Sequence, residues 1–308
     1  MSPARGLRAW RWGAGIAIAL ACAPIALAAK KAEPEPIGGG GAIPVRHTVL
    51  PKSASQGALV LGVTHPAAIV EYAGRTLRVT PYGSFVFGIG RDAVGPAVLR
   101  IKQPASGWIE HRLDVVPRQW PVEHIRGVPP RTVDPPPEIA ARIAREQAAV
   151  AAVRGRDDAR SDFVADFIWP VQGRISGRFG SARSYNGKPG TPHSGTDVAA
   201  ATGTPLRAPA AGLISFANAD LYLTGGTLVL DHGHGVSSTF LHLSRIDVRV
   251  GQAVKQGDLL GEIGATGRAT GPHMHWGLNW FEVRLDPQLL APPMPAAATA
   301  PQRAVKAD

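Results

Sequence analysis

Between about Arg46 and Arg118 the chain alternates short apolar runs with turn residues: ALVLGV, AAIVEYAG, RTLRVTPYG, SFVFGIG, PAVLRIK and HRLDVV. Runs of this length, rich in Val, Ile, Leu and Phe and closed off by Gly, Pro and Ser, predict short strands. Their regular spacing predicts a small antiparallel, sandwich-like β domain over residues 46–118. Tyr72-Ala73-Gly74-Arg75 and Pro81-Tyr82-Gly83-Ser84 read as hairpin turns within it.

The period then changes. After DPPPE, Ile139, Ile143, Val150 and Val153 recur at helical intervals among Ala, Arg and Glu. This predicts one amphipathic helix over 134–156, started by Asp134 and the prolines and ended near Gly155, within a linker spanning 119–166. Its apolar stripe reads as a packing face. From Phe167 to about Leu290 short strands with many glycines return, giving a second, C-terminal antiparallel β unit over 167–290. The fold class is therefore all-β with one linking helix, and a chain of 308 residues accommodates two such units.

The two ends lack this patterning. Residues 1–28 carry Arg5, Arg8 and Arg11, an apolar stretch from Gly13 to Ala28, and small residues at Ala26 and Ala28. These are the three zones of a secretory signal peptide, and they predict export to the periplasm or cell envelope. A retained anchor fits less well, since Pro24 interrupts a stretch already shorter than the roughly 20 apolar residues that span a bilayer. Lipid attachment at Cys22 is the other alternative, but Ala19 stands where a lipoprotein signal has Leu. Residues 29–45, with the Pro- and Gly-rich text KKAEPEPIGGGGAIP, read as a flexible linker, and the Ala- and Pro-rich 291–308 as a disordered tail.

Cleavage after Ala28 removes the single cysteine, so no disulfide is expected in the mature chain. It also removes three arginines and no acidic residue, lowering the formal charge from +10 to +7. A basic protein outside the cytoplasm suits an anionic wall or membrane surface and not nucleic acid.

Six of the ten histidines fall in the C-terminal unit. Three segments matter: Pro192-His193-Ser194-Gly195-Thr196-Asp197, Phe240-Leu241-His242-Leu243 and Gly271-Pro272-His273-Met274-His275-Trp276. On a strand, His273 and His275 project to one face while Met274 and Trp276 face the core. Pro192 and Gly195 place His193 and Asp197 on a loop or bent strand. Imidazole and carboxylate are zinc ligands, and catalytic zinc sites take three of them. Two histidines and one aspartate meet that count and leave imidazoles to move protons. His47, His65 and His111 are scattered singly and read as ordinary side chains; His232 and His234 read as part of a hairpin turn, beside a substrate groove at most.

The stretch HSGTDVAA followed by GTPLRAPAAGLISFA, and LVLDHGHGVSSTFLHLSRIDVRVGQAVKQGDLLGEIGATGRATGPHMHWGL, resembles the catalytic domain of lysostaphin/LytM-type peptidoglycan endopeptidases over roughly residues 168–290. The resemblance implies the duplicated-hybrid-motif fold and one Zn²⁺ per catalytic domain. It implies metal ligands at His193, Asp197 and His275, with His242 and His273 acting on the water and the transition state. It further implies peptidoglycan peptide stems as substrate, cut at D-Ala-diaminopimelate cross-links, and membrane- or wall-associated regulators as partners. One local departure is Thr224-Gly225-Gly226-Thr227, where relatives commonly have Gly-Asn. The alternative is a non-catalytic or latent wall-binding module that activates another murein hydrolase; that reading predicts missing ligands, and all five positions are filled.

Overall fold

The computed structural model describes residues 47–295; the segments read as signal peptide and flexible linker, and the chain after Pro295, lie outside the described residues. The described chain is mostly β, as its patterning predicts. In the N-terminal region β1 (Ser53–Ser55), β2 (Leu59–Val63), β3 (Ile69–Tyr72), β4 (Arg75–Leu77), β5 (Ser84–Gly88), β6 (Ala97–Lys102) and β7 (Trp108–Val116) make two sheets. One has the order β1-β7-β6-β3-β4 and the other is the β2-β5 pair. β6 shows the half-buried pattern cleanly: Ala97, Leu99 and Ile101 are buried while Val98, Arg100 and Lys102 face water. β5 is buried on both sides. A side chain added at Gly88 would meet Trp280 and Leu285 of the C-terminal region, so the two regions share one continuous core.

Ala73 and Gly74 both take positive φ, 48° and 77°, and close the β3-β4 hairpin as expected. Pro81-Tyr82-Gly83-Ser84 also forms a tight turn, but not a hairpin. β4 ends at Leu77 and pairs with β3, whereas β5 pairs with β2, so the turn passes the chain from one sheet to the other. β1 is a further difference: its residues are polar and small, and it joins β7 in parallel.

The segment read as a linker is more structured than its pattern shows. β8 (Val122–Ile125) pairs in parallel with β10 (Ala182–Tyr185), which forms a hairpin with β11 (Lys188–Gly190). The predicted single helix is two: α1 (Pro130–Val133) and α2 (Pro137–Arg154), the latter closed at Gly155. Asp134 caps neither. The N-cap of α2 is Pro136, in extended backbone, because residues preceding a proline are kept out of the helical region. Asp134 pairs instead with Lys188 at 2.9 Å. No residue of α2 is fully buried. It is fastened at its middle, where Glu146 accepts the Tyr222 N–H at 2.7 Å and Arg142 at 2.6 Å, and Arg142 also donates to the Asp220 carbonyl.

The C-terminal region adds β9 (Arg174–Gly177), β12 (Thr196–Ala199), β13 (Pro205–Arg207), β14 (Gly212–Leu221), β15 (Gly225–Gly233), β16 (Val236–Ile246), β17 (Ala253–Val254), β18 (Leu259–Ile263), β19 (His273–Trp280) and β20 (Val283–Leu285). Their ten-stranded sheet runs β17-β14-β15-β16-β19-β12-β9, with β13, β18 and β20 attached, and every pairing in it is antiparallel. All nine residues of β15 are buried, which makes this strand the centre of the region. Ala291 and Met294, in the stretch read as tail, pack on the core, and Trp169 Nε1 donates to the Pro292 carbonyl at 2.7 Å.

Candidate metal centre and active site

β12 and β19 lie side by side with Asp197 opposite His275 and Ala199 opposite His273. The strand period then decides which way each residue points. Met274 and Trp276 are completely buried on the core side, and the Trp276 indole donates to Ser238 Oγ at 3.1 Å. His273 and His275 share the other face with Asp197. His193 arrives from the loop before β12, where Gly195 lets the chain pass over β19. A Cβ there would stand 2.7 Å from His275 Nε2 and collide with the Trp276 carbonyl, so no larger residue fits.

Three donor atoms converge. His193 Nε2 lies 3.0 Å from both His275 Nδ1 and Asp197 Oδ1, and His275 Nδ1 lies 2.8 Å from Asp197 Oδ1. His193 Nδ1 donates to the Arg178 carbonyl at 3.0 Å, which assigns its proton there and leaves Nε2 as a bare lone pair. At most one proton, on His275, therefore sits among three lone-pair atoms packed this closely. All three residues are buried. Burial by itself would raise the Asp197 carboxyl, but hydrogen bonds from His193 and His275 outweigh it and hold the group well below the usual range. Burial lowers His275 to about 4, so it is neutral near pH 7. Two imidazoles and one carboxylate, with no other partner for their facing atoms, fit a divalent cation of the zinc type.

The other Asp197 oxygen is occupied. Arg183 Nη2 donates to Oδ2 at 2.9 Å, and Arg183 Nε donates to Glu123 Oε2 on β8 at 3.2 Å. Nothing in the residue types marked Arg183. The available signal was Asn186-Gly187, both at positive φ, which closes the β10-β11 hairpin and brings β10 to the site.

Two further imidazoles face the centre. His273 Nε2 stands 3.9 Å from Asp197 Oδ1, while its Nδ1 donates to the Gly271 carbonyl at 2.8 Å. His242 lies between ladder irregularities of β16, in left-handed backbone with φ 63°. Such backbone is costly for a non-glycine residue and is held here by two bonds. Its N–H donates to the Thr224 carbonyl at 2.9 Å and its Nδ1 to the Thr266 carbonyl at 2.7 Å. The result aims the His242 ring at His273, with centroids 4.8 Å apart. Burial, and then the neighbouring His273, push His242 down to about 3, so its Nε2 is a neutral acceptor. The Thr224 side chain bonds Thr227 Oγ1 at 2.8 Å, so the departure from the usual Gly-Asn does not touch the metal group, and the carbonyl that holds His242 is backbone.

The structure thus brings together all five residues singled out from the sequence. His232 and His234 lie elsewhere. His232 is fully buried, bonded through Nδ1 to the Ala211 carbonyl at 2.7 Å and through Nε2 to Ser238 at 2.9 Å, and His234 packs on Phe163. The expected hairpin turn is made by His234 and Gly235, whereas His232 lies within β15; both point to the core side and away from the groove. Among the described residues His193, Asp197 and His275 are the group that could hold a metal.

Residues 191–287 match peptidase family M23. A crystal structure described as a peptidase M23 from Pseudomonas aeruginosa aligns with 77% of this chain and 94% of its own, at 34% identity and a TM-score of 0.60. The chain belongs to peptidase family M23. The peptidoglycan DD-endopeptidase ShyA of Vibrio cholerae is 40% identical over 106 residues, 34% of this chain and 24% of ShyA. The DD-carboxypeptidase/endopeptidase Mpg of Neisseria meningitidis is 35% identical over 116 residues, 38% of this chain and 26% of Mpg. The alignments span about a quarter of the length of these relatives.

In this M23 chain the metal group opens on a cavity of about 980 Å³. One wall is α2, through Ile143, Glu146, Val150 and Arg154. The apolar stripe read as a packing face is thus the half-exposed wall of the groove. Arg268 closes another side, donating to the Thr132 carbonyl at 2.9 Å and stacking over Tyr185.

Proposed function

We propose that this M23 chain is an exported, zinc-dependent endopeptidase that hydrolyses peptide cross-links of peptidoglycan, at the D-Ala-diaminopimelate bond. The observation that carries the reading is the convergence of His193 Nε2, Asp197 Oδ1 and His275 Nδ1 beside two imidazoles whose protons are already committed to carbonyls. The named activities of ShyA and Mpg support the substrate class, and the signal-like residues 1–28 support a periplasmic or cell-envelope location.

His193, Asp197 and His275 would hold the ion. When bound, zinc supplies Lewis-acid polarisation of the scissile carbonyl and an acidified water. The rest falls to the chain's own residues. His273 or His242 accepts the proton of the attacking water at its bare Nε2, and the other imidazole steadies the developing oxyanion. Arg183 occupies Asp197 Oδ2 and so leaves Oδ1 as the oxygen that would hold the ion, the usual part of an outer partner in a metal site. The cavity gives an extended peptide room to lie against the sheet.

The test is mass analysis of fragments released from isolated peptidoglycan by the mature chain, zinc-loaded and chelator-stripped in parallel. Zinc-dependent conversion of cross-linked muropeptides to uncross-linked ones, with new diaminopimelate amino groups, is the expected result. No release by a folded, zinc-containing sample would leave the wall-binding activator as the better reading.

A further inference from the structure

Two arginines on the cavity wall have no acidic partner. Arg154, in the last turn of α2, and Arg284, on β20, both line the cavity and are half-buried, yet neither reaches a carboxylate or an aromatic face among the described residues. Arg284 donates only to Asn279 Oδ1, at 3.1 Å. Arg154 has the favourable, C-terminal end of the helix dipole but no side-chain bond. Burial, and then the charge of Arg154, lower Arg284 to about 9, far from the ordinary guanidinium range. Two guanidinium groups held together in a half-buried wall are a costly arrangement unless an anion joins them.

The floor beneath them points the same way. Along β19, His275, Gly277 and Asn279 share one face, and on β16 Leu241, Thr239 and Ser237 stand opposite them in turn. Asn279 is in turn opposite Arg284. This row therefore runs from the metal group to the arginines across four residues, roughly 13 Å at strand rise. Thr239 Oγ1, Ser237 Oγ and Asn279 Nδ2 are all buried and all without a hydrogen-bond partner. Thr239 lines the cavity itself. The carboxylates that this face carries are already engaged, Asp197 by Arg183 and His275, and Asp231 by Arg156 and the Gly233 N–H.

We infer that the groove has a second binding element, a carboxylate subsite formed by Arg154 and Arg284 at the far end of the polar row that begins at His275. The inference rests on the endopeptidase reading for its ligand, a free carboxylate of a stem peptide. The paired N–H donors of a planar guanidinium match the two oxygens of a carboxylate, and Thr239, the member of the row that lines the cavity, offers its hydroxyl to the peptide between the bond cut and that anchor. α2 is thereby part of the substrate site, and not only a link.

The test uses the full mature chain, zinc-loaded, with two stem-peptide dimers that differ only in having free carboxylates or carboxamides. Wild type is expected to favour the carboxylate dimer in kcat/KM by at least about tenfold, through KM. Arg284→Gln and Arg154→Gln should each reduce that preference toward one while bound zinc and thermal midpoint stay at the wild-type values, and Arg284→Lys should restore part of it. Direct binding of both dimers, measured by calorimetry on the same samples, separates this inference from the activity. If neither dimer is cut but wild type binds the carboxylate form and Arg284→Gln does not, the subsite stands and the endopeptidase reading falls. If wild type treats the two dimers alike, or the variants keep the preference, the subsite is overturned.

Discussion

Two clusters of buried histidine and aspartate lie in the same sheet and differ in one respect. His193, Asp197 and His275 turn their lone pairs toward one another, at 2.8 to 3.0 Å, and toward nothing else. Asp231 and His232 are as deeply buried, but each polar atom has a separate protein partner: Arg156 and Gly233 for the carboxylate, Ala211 and Ser238 for the imidazole. Residue type and burial are therefore poor guides to a site. What distinguishes a metal group is that its acceptors are short of protons and converge, whereas a structural histidine has both nitrogens satisfied.

The largest effect should come from removing one converging ligand. His275→Ala should abolish detectable bound zinc and lower turnover by more than about 100-fold, the upper end for loss of an outer partner alone. Metal analysis of the purified variant, beside its rate on peptidoglycan, checks this. Next, His242→Ala should keep zinc and lose about 10²- to 10⁴-fold in kcat, the range for a proton-transfer group. Loss of zinc in both variants would refute the division between ligands and proton carriers. Arg183→Gln should retain all three ligands yet weaken zinc by about 10- to 100-fold in a competition titration, because Asp197 Oδ2 loses its partner. An unchanged affinity would make Arg183 a structural tie between β8 and β10 only.

The smallest effect belongs to the other cluster. His232→Gln should cost about 1–3 kcal/mol of stability and leave zinc and turnover alone. The cost depends on pH in a definite direction. Burial lowers folded His232 to about 4, against about 6.5 in the unfolded chain. Between those values the unfolded chain takes up a proton that the folded one refuses, so this stabilisation is complete above about pH 6.5. It falls by about 1.4 kcal/mol per unit as the pH drops toward 4. Urea midpoints should therefore show a gap between wild type and His232→Gln that narrows from pH 7 to pH 5; a constant gap would mean that folded His232 takes up its proton as readily as the unfolded chain does.

The candidate ligands were legible because their spacing is local: His273-x-His275 on one strand, and a histidine four residues before Asp197, put imidazoles and a carboxylate within reach of one ion. Which three of them form the metal group came from the family resemblance and not from the spacing. The hairpins at Ala73-Gly74 and at His234-Gly235 were legible through local spacing too, since their turn residues sit next to one another. What stayed hidden depends on pairings between distant segments. β8 looked like linker because four residues with no apolar face gain their strand character only from β10, some 60 residues away. With β8 unseen, Glu123 and Arg183 could not be placed beside Asp197. α2 was readable as a helix, but its apolar stripe gave no hint that it faces a groove and not a core, nor that Arg154 would meet Arg284 there.

The most direct test of the contrast is zinc stoichiometry, measured on wild type, His275→Ala and His232→Gln prepared identically. One zinc per chain in wild type and His232→Gln, with none in His275→Ala, is the predicted result. Zinc retained by His275→Ala and lost from His232→Gln would place the ion at the wrong cluster and contradict the account.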